Sequence, residues 1–315
     1  MQATRYSSVA VAVIASAAIW GCVRAPAPDS AEHADHAQPA AAGAGAGIGG
    51  GVAIAKSLPA ADAEAAARIA ASPRHAEWVT VPTDAGSAGG APGESIRAWV
   101  VYPERKDKAP VVVVIHEIFG LSPWIRAVAD QLAADGFIAI APDLLSNMNI
   151  PGSPENPNPD TARAAIRNLQ TADVQRQLSA VARYGMALPA ALPRYGIVGF
   201  CWGGARSFQH AVHAPGLGAS VVYYGTSPSS SELVAVQAPV LGLYGENDAR
   251  VNATIPPADS TMRALGKTYE KEIYAGAGHG FLRAQDAQNG ANLEATRRAW
   301  PRTIAWFRKY LGEQG

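Results

Sequence analysis

The run Gly199-Phe200-Cys201-Trp202-Gly203-Gly204 is where residue type and spacing in this 315-residue chain speak most directly of chemistry. An apolar strand (residues 195–200) precedes it and a helix (203–213) follows. A Gly-x-nucleophile-x-Gly turn lifts its central residue off the sheet, and flanking glycines let strand and helix approach closely. The N–H groups of the following helix favour thiolate over thiol. A buried structural cysteine would give the same local pattern. A dinucleotide-binding turn would not, because Gly-x-Gly-x-x-Gly is missing. Two later segments add to the case. Strand 239–244 ends in Gly245-Glu246-Asn247-Asp248, and strand 268–274 leads to Gly276-Ala277-Gly278-His279-Gly280-Phe281. A lone turn Asp often bonds its own backbone. Nucleophile, acid and histidine in this order, each after a strand, instead match a catalytic triad. In it Cys201 attacks a carbonyl, His279 moves the protons, and Asp248 fixes the imidazole tautomer. The oxyanion needs two backbone donors: the N–H of Trp202, and one from the loop His116-Glu117-Ile118-Phe119-Gly120.

These residues need a sheet to position them. A short helix is expected over 59–71, then two strands (77–81, 96–102) forming an antiparallel edge, split by a Gly/Ser-rich loop at 84–93. The β-branched run 111–115 reads as a strand buried on both faces. Pro123 opens a helix over 123–134 with Ser122 as N-cap, and a strand follows at 137–141. A Pro/Asn-rich loop (146–160), one long helix (161–184), a strand at 219–224 and helices at 258–265 and 292–311 complete the pattern. Strands alternating with helices imply an α/β fold, a mostly parallel sheet with helices on both faces.

The composition, 48% hydrophobic and 17% charged with formal net charge +0, fits a globular core and excludes a nucleic-acid surface. Residues 1–22 resemble an export signal: Arg5, an apolar stretch over 9–20, then Gly21-Cys22. Ile19-Trp20-Gly21-Cys22 resembles a lipobox with Cys22 as the lipidated residue, although Trp20 is bulky for it; an ordinary signal peptide or an uncleaved anchor is the alternative. Residues 23–56, rich in Ala, Pro and Gly, read as a tether, with His33 and His36 as solvated polar residues. The folded domain is then 57–315. The expected location is the bacterial envelope, periplasmic or membrane-anchored, and Cys201 has no disulfide partner once Cys22 is lipidated or removed.

Together, His-Glu-Ile-Phe-Gly after a Val/Ile strand, Pro142-Asp143 after the next, Gly-Phe-Cys-Trp-Gly-Gly, Gly-x-x-Asp and Ala-Gly-His-Gly-Phe resemble the dienelactone hydrolase family over residues 95–312. The resemblance implies an α/β-hydrolase fold and a triad of Cys201, Asp248 and His279. It implies that Glu117 switches the cysteine between thiol and thiolate, and that Ile118 supplies the second oxyanion N–H. It also implies arginines that bind a substrate carboxylate: Arg283, and a second from Arg163 or Arg167. Tyr224 is a pocket-lining candidate or plain core. The implied activity is carboxymethylenebutenolidase, or a broader esterase or lactonase, with no cofactor and no metal. Two other classes compete. A tethered binding module has no need of all three triad residues, and a thiol redox sensor lacks a resolving cysteine.

Overall fold

The computed structural model describes residues 58–83, 93–153 and 155–312. The expected signal segment, Cys22, the tether with His33 and His36, and all but the last residue of the 84–93 loop lie outside the described residues. No helix among the described residues is long and apolar enough to cross a membrane.

The strands are β1 (Ala76–Pro82), β2 (Ser95–Val101), β3 (Ala109–Ile115), β4 (Ile138–Pro142), the two-residue β5 (Gly152–Ser153) and β6 (Asn156–Pro157), β7 (Ala191–Phe200), β8 (Ala219–Tyr223), β9 (Val240–Asn247) and β10 (Tyr269–Gly278). The helices are α1 (Ala65–Ala70), α2 (Pro123–Ala134), α3 (Pro159–Ala165), α4 (Thr171–Ala187), α5 (Trp202–His213), α6 (Ala249–Asn252), α7 (Ile255–Ala264) and α8 (Ala291–Leu311). Eight strands form one sheet in the order β1-β2-β4-β3-β7-β8-β9-β10. The β2 strand runs antiparallel to both its neighbours, and the other pairs are parallel.

The period of two in β3 explains why both faces are covered. Val112 and Val114 enter one core with Trp124, Val128 and Leu132 of α2 and Trp300 and Phe307 of α8. Val111, Val113 and Ile115 enter the other with Leu178 of α4, Phe208 of α5 and Met262 of α7. An unbroken β-branched run is what a strand between two helical layers requires.

Four local expectations are corrected. The helix expected over 161–184 is two helices. Leu169 and Gln170 are extended (ψ 123° and 136°), and this break carries the chain from Ile166 in one core to Val174 in the other. The loop expected over 146–160 holds the β5–β6 hairpin and the start of α3, whose N-cap Asn158 accepts the N–H groups of Asp160 and Thr161. Ser122 sits at the α2 N-cap position, but its side chain makes no capping hydrogen bond. The α7 helix begins at Ile255, because its prolines fall in the first turn, where a missing N–H costs nothing.

The N-terminal helix is also shorter than expected. Residues 58–61 are an extended strap whose carbonyls are taken by side chains: Pro59 accepts from Gln285 (2.9 Å) and Ala60 from Trp124 Nε1 (3.1 Å). The N–H of Asp62 donates to the carbonyl of Arg283 at 3.0 Å. A helical turn over Asp62–Glu64 and α1 follow. The buried Asp130 of α2 fastens this segment, accepting from Arg68 (2.8 Å), Arg74 (2.7 and 2.8 Å) and the hydroxyl of Ser72. Burial alone would raise the Asp130 pKa, but Arg74, Ser72 and Arg68 together hold it below the ordinary 3.8. The folded-state value is depressed, so this stabilisation is present at neutral pH and fades as pH falls through the folded value. Asp130→Ala leaves two arginines without their buried partner and should lower the unfolding free energy by about 3 kcal/mol. Urea melts at pH 7 and pH 3 check this: the gap between variant and wild type should narrow in acid.

Candidate active site

The β7 strand ends at Phe200 and α5 begins at Trp202, leaving Cys201 alone to turn the chain. It does so at φ 56° and ψ −117°, in the left-handed half of the map, where a residue with a β-carbon is strained. Its N–H is held by the carbonyl of Tyr223 at 3.1 Å. The glycines are dictated by contact. A β-carbon on Gly199 would lie 1.9 Å from the carbonyl oxygen of Gly203, and one on Gly203 would lie 2.4 Å from that of His116. The second approach presses the turn after β3, which carries Glu117 and Ile118, against the first turn of α5, which begins with Trp202. The ring of His116 lies parallel to that of Trp202 (centroids 5.8 Å, interplanar angle 15°). Its Nδ1–H donates to the carbonyl of Glu117 at 2.7 Å, and burial lowers its pKa, so the ring is a neutral structural plate.

Asp248 and His279 arrive from the ends of β9 and β10. Nδ1 of His279 lies 2.5 Å from Oδ2 of Asp248, whose other oxygen accepts the N–H of Val251 at 3.5 Å and so caps α6. The imidazole also feels the charge of Cys201. Burial would lower the His279 pKa. The charge on Cys201 and the bond to Asp248 outweigh burial and push the pKa up to about 10. Cys201 and Asp248 therefore both act on one imidazole.

Glu117 is buried and faces Arg283, with Oε2 2.9 Å from Nε. Burial raises the Glu117 pKa, against the opposing charges of Arg283 and His279. The guanidinium of Arg283 lies over the ring of Phe119 at 5.1 Å, and that of Arg163 lies over the same ring at 5.4 Å. Arg163 and Arg283 therefore share one aromatic plate, while Arg167 is exposed on the turn after α3. Tyr224 follows β8 at φ 39°, fully buried, its ring 5.1 Å from that of His279. Its hydroxyl has no hydrogen-bond partner among the described residues, and burial with the nearby Glu117 charge holds its pKa well above the usual range.

Two neighbours escaped the sequence. Phe119 was visible in the His-Glu-Ile-Phe-Gly run, but nothing there marks an aromatic as an arginine platform. Asp62 lies 221 positions from Arg283, yet its Oδ2 is 3.3 Å from Nη1. No spacing rule reaches that far.

The sheet order, with this turn at the C-terminal ends of its parallel strands, defines the α/β-hydrolase class. The sequence profile of the dienelactone hydrolase family matches residues 96–311. A Salmonella typhimurium (strain LT2) protein named "Putative carboxymethylenebutenolidase" is 32% identical over 262 residues, spanning 78% of this chain and 96% of its own. The crystal structure of a Klebsiella pneumoniae "Putative Dienelactone Hydrolase" superposes with a TM-score of 0.65 at 31% identity, over 75% of this chain and 99% of that one. The dienelactone hydrolase of Anabaena variabilis, at 19% identity and a TM-score of 0.56 over 75% and 98% of the two chains, shares the fold. This chain belongs to the dienelactone hydrolase family and is a hydrolase.

The contact at Gly199 gives a structural prediction. Gly199→Ala forces the strand and helix apart and should cost about 3 kcal/mol. Thermal unfolding should show it, whereas Gly216→Ala, where a β-carbon meets nothing within 4 Å, should change little.

Proposed function

We propose that this protein hydrolyses a carboxylic ester or lactone through a thioester acyl-enzyme on Cys201. The observation that carries the reading is Cys201, on its left-handed turn, acting by its charge on His279, whose Nδ1 lies 2.5 Å from Asp248. The Cys201 thiolate attacks the acyl carbonyl, and the oxyanion is received by the N–H groups of Trp202 and Ile118. The tetrahedral intermediate then expels the alkoxide, which takes the proton from Nε2 of His279. In a lactone the freed hydroxyl stays attached to the acyl group. Acylation removes the thiolate charge, the largest influence raising the His279 pKa. Having given up its proton, the imidazole now stays neutral and can take a proton from water, whose attack on the thioester releases the acid and restores the thiolate beside the imidazolium. Asp248 holds the tautomer throughout.

Glu117, at the inner side of Arg283, tunes the charge facing Cys201. Arg283, Arg163 and Tyr224 line the acyl side of the site. A dienelactone and simple aryl esters are the first substrates to test. The N-terminal segment reads as an export signal, and Cys22 as its lipidation point, which would place the enzyme in the cell envelope.

Cys201→Ala should lower the rate on p-nitrophenyl acetate and on a dienelactone by at least about a thousandfold. Acid-quenched turnover should show an acyl adduct on Cys201 by mass spectrometry. An undiminished rate in the variant would overturn the triad. Capping Cys201 as a neutral methyl disulfide should move the His279 titration, followed by NMR, downward from about 10. A value that stays put would contradict the charge switch.

A further inference from the structure

The strap that precedes α1 is not covered by the family match, yet it reaches the site. Asp62 is fixed through its main chain, which donates to the carbonyl of Arg283 at 3.0 Å, and its carboxylate lies 3.3 Å from Nη1 of the same arginine. The other edge of that guanidinium is held by Glu117 at 2.9 Å. Arg283 thus has carboxylates on two edges and the ring of Phe119 on one face. It borders a cleft of about 690 Å³ that also touches Phe119, Pro123, Pro157, Asp62 and Asp286, and it joins that cleft to the candidate site through Glu117, which sits between Arg283 and the charge of His279. A cation on the wall of a cleft ordinarily attracts an anionic group of the ligand. Here that role is already filled from within the chain. If Glu117 is ionised, two carboxylates face one guanidinium. If burial keeps Glu117 neutral, Asp62 still balances the charge.

We propose that Asp62 is a specificity-determining residue that turns the cleft beside Arg283 away from carboxylate-bearing substrates and toward neutral, largely apolar acyl groups. This rests on the hydrolase reading above. An anionic acyl group must displace Asp62 from Arg283 or accept its repulsion, and a neutral one meets neither cost. The geometry allows the device to act without disturbing the fold, because the Asp62 side chain is 55% exposed while that of Glu117 is 4% exposed.

The test uses the full-length protein and two esters of equal acyl length, p-nitrophenyl valerate and mono-p-nitrophenyl glutarate. The readout is the ratio of their kcat/KM values. Asp62→Asn should shift that ratio about fivefold to tenfold toward the glutarate ester, an effect of the size expected for one part-exposed charge. The shift should shrink as salt is raised. Equal falls on both esters would mean a merely structural role, and an unchanged ratio would equally overturn the proposal. Free glutarate binding, measured by calorimetry in the Cys201→Ala background with and without Asp62→Asn, separates the two readings. Tighter binding on loss of Asp62 supports the specificity role whatever the fate of the nucleophile assignment. Unchanged binding overturns it even if Cys201 proves essential.

Discussion

The site depends on one backbone conformation, the left-handed turn at Cys201. Holding a residue with a β-carbon there costs on the order of 1–3 kcal/mol. The surroundings hold it in place. The β7 strand lies between β3 and β8 with its last six residues buried, and α5 packs behind it through Phe208 and Ala211. The carbonyl of Tyr223 fixes the turn's N–H, and the two glycines bring β7, α5 and the β3 turn within a single backbone's thickness. A relaxed turn would swing the thiol away from His279 and separate Trp202 from Ile118. The strain is therefore part of the positioning.

Around the turn, charge is arranged in alternation. Asp248 faces His279, His279 faces Cys201, Glu117 faces Arg283, and Arg283 faces Asp62. In a buried setting an unmatched charge is expensive and a matched one is held firmly. His279 shows the balance most clearly: burial lowers its pKa, and its two partners raise it further. A reaction that neutralises one partner is felt at once by the imidazole.

Much of this was legible from the residues. The glycine-flanked cysteine, the Asp and His at later strand ends, and the β-branched run of β3 all act within a few positions of themselves, where local geometry rules. The structure brings Cys201, Asp248 and His279 together, sets Glu117 and Ile118 on the adjoining turn, and leaves Arg163 rather than Arg167 beside Phe119. What stayed hidden is long-range. The break at Leu169 follows from the need to cross from one core to the other, which no helical propensity records. The extended strap follows from side chains on α2 and beyond β10 taking its carbonyls.

That strap also shows where specificity can change at least cost. Replacing Glu117 would take from Arg283 its buried partner and change the turn that carries Ile118. Replacing Asp62 removes a half-exposed carboxylate whose main chain, not its side chain, anchors the segment, while Asp130 clamps the helix behind it. The two carboxylates meet the same guanidinium but answer to different constraints. The inner one is bound to the fold, and the outer one is free to follow the substrate. A cleft whose charge is set by its outermost residue can be retuned by a single substitution, without reopening the packing that holds Cys201 in its turn.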